Sequence, residues 1–77
     1  MKNLVISIIK ATGLPIETEN NLGLKVRGEF KGINVIISAY HRHQTVAIAS
    51  PYFRGYREFS YEEVVRKYGN YRNAGLN

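Results

Sequence analysis

The 77-residue chain has no cysteine, no aspartate and no tryptophan, and only two prolines. Without cysteine there are no disulfides, no thiolate metal ligands and no thiol nucleophile. The disulfide-stapled secreted scaffolds that support many small cores are excluded with them. Without aspartate, six glutamates are the whole carboxylate set. Glu62 and Glu63 suit a helix start, Glu29 a strand face, and Glu17 and Glu19 a loop, so neither paired-carboxylate acid–base chemistry nor a carboxylate Mg²⁺ site is expected. Long apolar runs are missing too. Leu4–Ile9, broken by Ser7, falls far short of the roughly 20 residues that span a bilayer, and it lacks the h-region and cleavage site of a signal peptide. A cytoplasmic protein with no membrane partner is expected.

The residues that remain do not assemble a catalytic or cofactor motif. Gly23, Gly28 and Gly32 are too widely spaced to form a phosphate-cradling loop before a helix. His41 and His43 offer two imidazoles, but no neighbouring cysteine or acid completes a metal shell. No feature marks Ser7, Ser38, Ser50 or Ser60 as a nucleophile. The expectation is a non-enzymatic chain with no catalytic residue, no metal and no cofactor.

What is present fits one domain over 1–77. Apolar residues make up 44% and charged residues 22%, the profile of a globular chain with one modest core. The clearest local signal is Phe59-Ser60-Tyr61-Glu62-Glu63-Val64, which reads as a capping box inside a hydrophobic staple. It predicts a helix over 61–68, with Arg66 and Lys67 in its last turn and Gly69 as its stop. Residues 70–77 then read as a frayed tail.

Upstream, Leu24, Val26 and Phe30 alternate with Lys25, Arg27, Glu29 and Lys31, the period-2 pattern of a half-buried strand. Gly28 on the apolar side calls for a bulge or close packing. Lys31-Gly32 suits a tight hairpin into the strand 33–39, and 45–49 supplies a third strand after the polar 41–44 turn. The first segment reads two ways. Leu4, Val5, Ile8 and Ile9 share one helical face with Asn3 as N-cap, whereas Leu4, Ile6 and Ile8 would share a strand face. Gly13-Leu14-Pro15 favours the helix. The predicted fold is α+β: a three-stranded antiparallel meander packed against a C-terminal and an N-terminal helix, in the order αβββα. Residues 50–58 read as a loop.

Double-stranded RNA-binding domains share that element order, but the basic start of their last helix is replaced by Glu62 and Glu63. No family is identified.

The charge is localised. Residues 1–20 and 58–77 each balance, so the whole net charge of +5 falls in 21–57, where Lys25, Arg27, Lys31, Arg42, Arg54 and Arg57 face only Glu29. Tyr52 and Tyr56 lie among these bases. Cationic groups neutralise phosphates and exposed tyrosines stack on unpaired bases. Lys25, Arg27, Lys31, Arg42, Tyr52, Arg54, Tyr56 and Arg57 are therefore the expected binding residues, on a basic sheet face and an aromatic loop that engage nucleic acid or a nucleoprotein. The alternative is a protein-interaction module, a small regulator or inhibitor of a larger acidic protein such as mobile elements carry. Its support is the aromatic and arginine content and the presence of Ile36 and Tyr40 on the second sheet face, where a protein partner or a second subunit would cover them.

Overall fold

The computed structural model describes the backbone of residues 1–76 and the side chains of residues 1–69. In chain order the elements are α1 (Lys2–Lys10), β1 (Ile16–Asn20), β2 (Gly23–Phe30), β3 (Ile33–Tyr40), β4 (Thr45–Ala49), β5 (Tyr56–Ser60) and α2 (Tyr61–Leu76). The strands form one antiparallel sheet in the order β1-β2-β3-β4-β5, so every connection joins neighbours. The class is α+β, but the meander has five strands, which corrects the expected three.

The two additional strands are the edges, and neither carries an apolar signal. β1 is exposed at all five residues, and β5 at all but Phe59. Backbone pairing places them. β1 follows β2 from Asn20 opposite Gly23 to Ile16 opposite Val26, and the Arg27 N–H donates to the Pro15 carbonyl just beyond. Residues 56–60, read as loop and helix entry, pair with β4 from Tyr56 opposite Ala49 to Ser60 opposite Thr45. A five-stranded sheet also removes the likeness in element order to the RNA-binding domains.

The first segment is the helix. Gly13, at φ 75°, turns the chain out of α1, and the Thr12 hydroxyl donates to the Ile9 carbonyl at 2.6 Å. Lys31 and Gly32 both have positive φ, 52° and 81°, as a two-residue type I′ hairpin requires. At the start of α2 the Glu63 N–H donates to Ser60 Oγ at 3.1 Å. The helix then runs through Gly69 to Leu76, so Gly69 is not its stop, and the expected tail is its second half as far as Leu76. A helical glycine costs only about 1 kcal/mol relative to alanine, too little to end a packed helix. Asn77 lies outside the described residues.

Both helices lie on one side of the sheet, α1 against α2 and β3, α2 over β4 and β5. The core between the layers is Val5, Ile9, Leu14, Leu24, Val26, Ala39, Val46, Tyr61 and Val64, with Val35, Ile37, Ile48, Phe59 and Val65 packed at its edge. Gly28 is explained by close approach, since a Cβ there would sit 3.0 Å from Pro15 Cδ and 3.3 Å from Leu14 Cδ2. Phe30, expected in the core, is 39% exposed. β4 pairs with β3 only from Ile36 onward, so the β2–β3 hairpin projects past the rest of the sheet. Tyr68 in α2 is about half exposed as well.

Candidate nucleic-acid interface and the uncovered sheet face

The side of the sheet away from the helices has no covering layer. Strand alternation and register arrange it in rows from β2 to β5: Gly23, Tyr40, Thr45, Ser60; then Lys25, Ser38, Ala47, Glu58; then Arg27, Ile36, Ala49, Tyr56. Small side chains line β4, with larger ones on β3 and β5 to either side. A depression of about 790 Å³ follows β4, with Ile36 and Tyr40 on one side and Tyr56 and Glu58 on the other.

This face is not the basic surface expected from the sequence. In β1, Ile16 lies opposite Val26 and Thr18 opposite Lys25, which leaves Glu17 as the extra residue of a bulge. The bulge delivers the Glu17 carboxylate to both bases of β2, at 3.0 Å from Lys25 Nζ and 2.9 Å from Arg27 Nε. The hydrogen bond from Lys25 leads the effects that hold the Glu17 carboxyl below its usual range, with the charges of Arg27 and Lys25 acting in the same sense. With Glu29 and Glu58 also on this face, two cations meet three carboxylates. Glu17 was assigned to a loop, and nothing in its neighbourhood in sequence announced this pairing.

The other expected binding residues are dispersed. Lys31 leaves the strand alternation at its positive-φ turn position, and its ammonium lies 5.5 Å from the Phe30 ring centroid. Arg54 and Tyr52 lie in the β4–β5 connection, at the same end of the meander as Lys31. Arg57 pairs with Ile48 on the helix side of the sheet, and its guanidinium covers the Phe53 ring at 4.7 Å. Tyr56 belongs to the uncovered face. Arg42 lies in the β3–β4 turn, at the opposite end from Lys31 and Arg54.

The structure therefore places Lys31, Arg54 and Arg57 toward the same end of the sheet, and none of them has an ion pair among the described residues. That end also carries Tyr52, 76% exposed, Phe30 beside Lys31 and the half-buried Phe53 beside Arg57. Phe30 and Phe53 were missed as site residues, because an aromatic in a strand or beside a core reads as packing. Only their place beside Lys31 and Arg57 distinguishes them.

The histidines part company. His43 borders the depression on the uncovered face, whereas His41 is partly buried and its Nδ1 lies 2.6 Å from the buried Tyr61 hydroxyl. Burial lowers the His41 pKa and the charge of Lys2 adds to the effect, with Glu19 opposing it. Burial raises the Tyr61 pKa. In the neutral ring protonated at Nε2, the Tyr61 hydroxyl donates a hydrogen bond to Nδ1. Among the described residues no group of three potential metal ligands converges, and no helix is long and apolar enough to cross a membrane. Comparison with protein-family models, curated protein sequences and solved structures yields no significant match to this chain.

Proposed function

We propose that this chain is a non-catalytic binding module that takes single-stranded nucleic acid at the end of the sheet formed by the β2–β3 hairpin and the β4–β5 connection. One observation carries the reading: Lys31, Arg54 and Arg57, unpaired among the described residues, share that end with Phe30, Tyr52 and Phe53. Cations track a phosphate backbone, and exposed rings stack on unpaired bases without requiring a sequence. Duplex DNA hides its bases, so the rings favour a single strand.

Fluorescence anisotropy with labelled mixed-sequence oligonucleotides tests it. Three phosphate contacts predict a log–log salt slope of roughly −2 for single strands. Arg54→Ala and Lys31→Ala should each weaken binding and flatten that slope. Tyr52→Ala should weaken binding by roughly fivefold or more, the usual loss for a stacked base. Lys25→Ala and Arg27→Ala should have little effect, because Glu17 already holds those side chains. Absence of binding at low salt, or equal sensitivity to Arg27 and Arg54, would sink the assignment.

A second reading, a protein-interaction module, has its own observation in the uncovered face with Tyr40 and Tyr56 exposed along it. A stoichiometric protein partner that survives nuclease treatment would favour it.

A further inference from the structure

We infer that the uncovered sheet face docks on a second copy of this chain, sheet on sheet, about a two-fold axis parallel to the strands and passing between β3 and β4. The inference is independent of the ligand assigned above. It comes from the self-complementarity of the three rows.

Such an axis lays β3 of one copy over β4 of the other and β2 over β5, with height along the strands unchanged. Isologous contacts of this kind require one surface to match itself. In the central row Ser38 meets Ala47, and Lys25 meets Glu58. In the row nearer the β3–β4 turn, Tyr40 meets Thr45. In the remaining row Ile36 meets Ala49, and Arg27 meets the ring of Tyr56. Tyr40 and Ile36 each face a small side chain, Lys25 faces the opposite charge of Glu58, and Arg27 faces an aromatic ring.

The existing ion pairs permit these contacts. Lys25 has three donor protons and Glu17 engages one of its flanks, while Arg27 meets Glu17 through Nε, leaving the rest of its guanidinium plane available. Glu58 has no ion pair among the described residues. Packed sheets cross at about 30°, a displacement that the long side chains of Lys25 and Arg27 span. The competing two-fold, perpendicular to the strands, would set Lys25 over Lys25 and Glu58 over Glu58.

Charge also favours self-association at this face over the rest of the surface. A chain of net +5 repels its copy, and the face on which carboxylates outnumber cations is where that repulsion is least. Four strands spaced by about 4.8 Å and rising about 3.3 Å per residue give a face of roughly 20 by 20 Å, or about 400 Å² per copy before side-chain relief. Both copies together approach about 1,000 Å², the low end for specific association. The expected dimer is accordingly concentration-dependent and weak. Its axis places both basic ends at the same end of the pair.

Sedimentation equilibrium on the intact chain from micromolar to millimolar concentration, without nucleic acid, tests the inference. A monomer–dimer equilibrium is expected. Ala47→Arg should leave only monomer. Lys25→Glu and Glu58→Lys should each weaken association at least tenfold, and the double exchange should recover most of the loss. Circular dichroism checks that each variant is folded, and the charge exchange decides if Ala47→Arg is not. A native chain that stays monomeric throughout would overturn the inference and leave the face to a different protein or to none. A dimer indifferent to Ala47→Arg, or charge reversals that do not compensate, would overturn it as well.

Discussion

The two faces of the sheet are built from the same strands, one residue apart, and they solve different problems. On the helix side Leu24, Val26, Ala39 and Val46 are buried, and their size and shape are fixed by α1 and α2. On the other side their immediate neighbours Lys25, Arg27, Ser38 and Ala47 are held by cross-strand pairing and by one carboxylate from a bulge. The first face makes the fold. The second has no covering layer and is the face proposed to dock, so substitutions on the two faces should separate stability from association.

The largest separation is expected at the strand residues themselves. Leu24→Ala should cost about 2–5 kcal/mol of unfolding free energy, the range for truncating a buried leucine. Arg27→Ala, exposed on the other face, should leave the stability of the monomer within about 0.5 kcal/mol. Urea unfolding curves of the two variants measure the contrast, and comparable losses would mean that the outer face is structural.

The glycines give a second measure. A Cβ at Gly23 would run into the Ala39 carbonyl oxygen, and one at Gly28 would press on Leu14 and Pro15. Because the obstacle at Gly23 is backbone and that at Gly28 is side chain, Gly23→Ala should shift the unfolding midpoint further than Gly28→Ala. The reverse order would show that β2 can move against β3 more easily than its pairing implies.

A smaller effect is expected from His41 and its partner. The His41 pKa is lowered in the folded chain, so the unfolded chain binds the proton more readily. The sign follows: this contribution is fully present above the ordinary histidine value of about 6.5 and is lost as pH falls through the lowered one. Denaturant midpoints between pH 7.5 and 5 should fall, and His41→Gln should flatten that part of the profile. Tyr61→Phe, which removes the hydroxyl from Nδ1, should cost about 0.5–1.5 kcal/mol at neutral pH.

The smallest effect belongs to Glu17. Its folded pKa is also lowered, so its contribution is present above the usual carboxylate range and disappears as pH falls. Glu17→Gln should barely move the neutral-pH midpoint, because the pair is solvent-exposed. It should nevertheless release Lys25 and Arg27, and oligonucleotide affinity should then become sensitive to Arg27→Ala. Continued insensitivity would show that the outer face takes no part in binding even when its cations are freed.

Much of the architecture could be read from residue order because it is encoded locally. The Lys31-Gly32 hairpin depends on two adjacent positive-φ positions, the entry to α2 on Ser60 and Glu63, and the three inner strands on alternation or continuous apolar runs. The edges were not legible, since strands with almost no buried side chain leave no periodic trace. β1 and β5 exist because β2 and β4 offer unpaired backbone groups beside them. The proposed site is announced in the sequence by composition and not by geometry. Counting bases over 21–57 singled out Lys31, Arg54 and Arg57 along with Lys25, Arg27 and Arg42, but neutralisation of Lys25 and Arg27 depends on a register shift at Glu17, and separation of Arg42 from Lys31 and Arg54 depends on which turns share an end.

The bulge has one further consequence. An edge strand exposes a ladder of unmatched amide and carbonyl groups, which is the usual template for ribbon-like aggregation. β1 carries an irregular residue and two acids, while β5 is short and places Arg57 and Glu58 side by side. Both ends of the sheet are thereby blunted against lateral growth. Concentrated copies of this chain are accordingly expected to resist templating fibrils, and deleting Glu17 to restore a regular β1 should remove that protection at the edge.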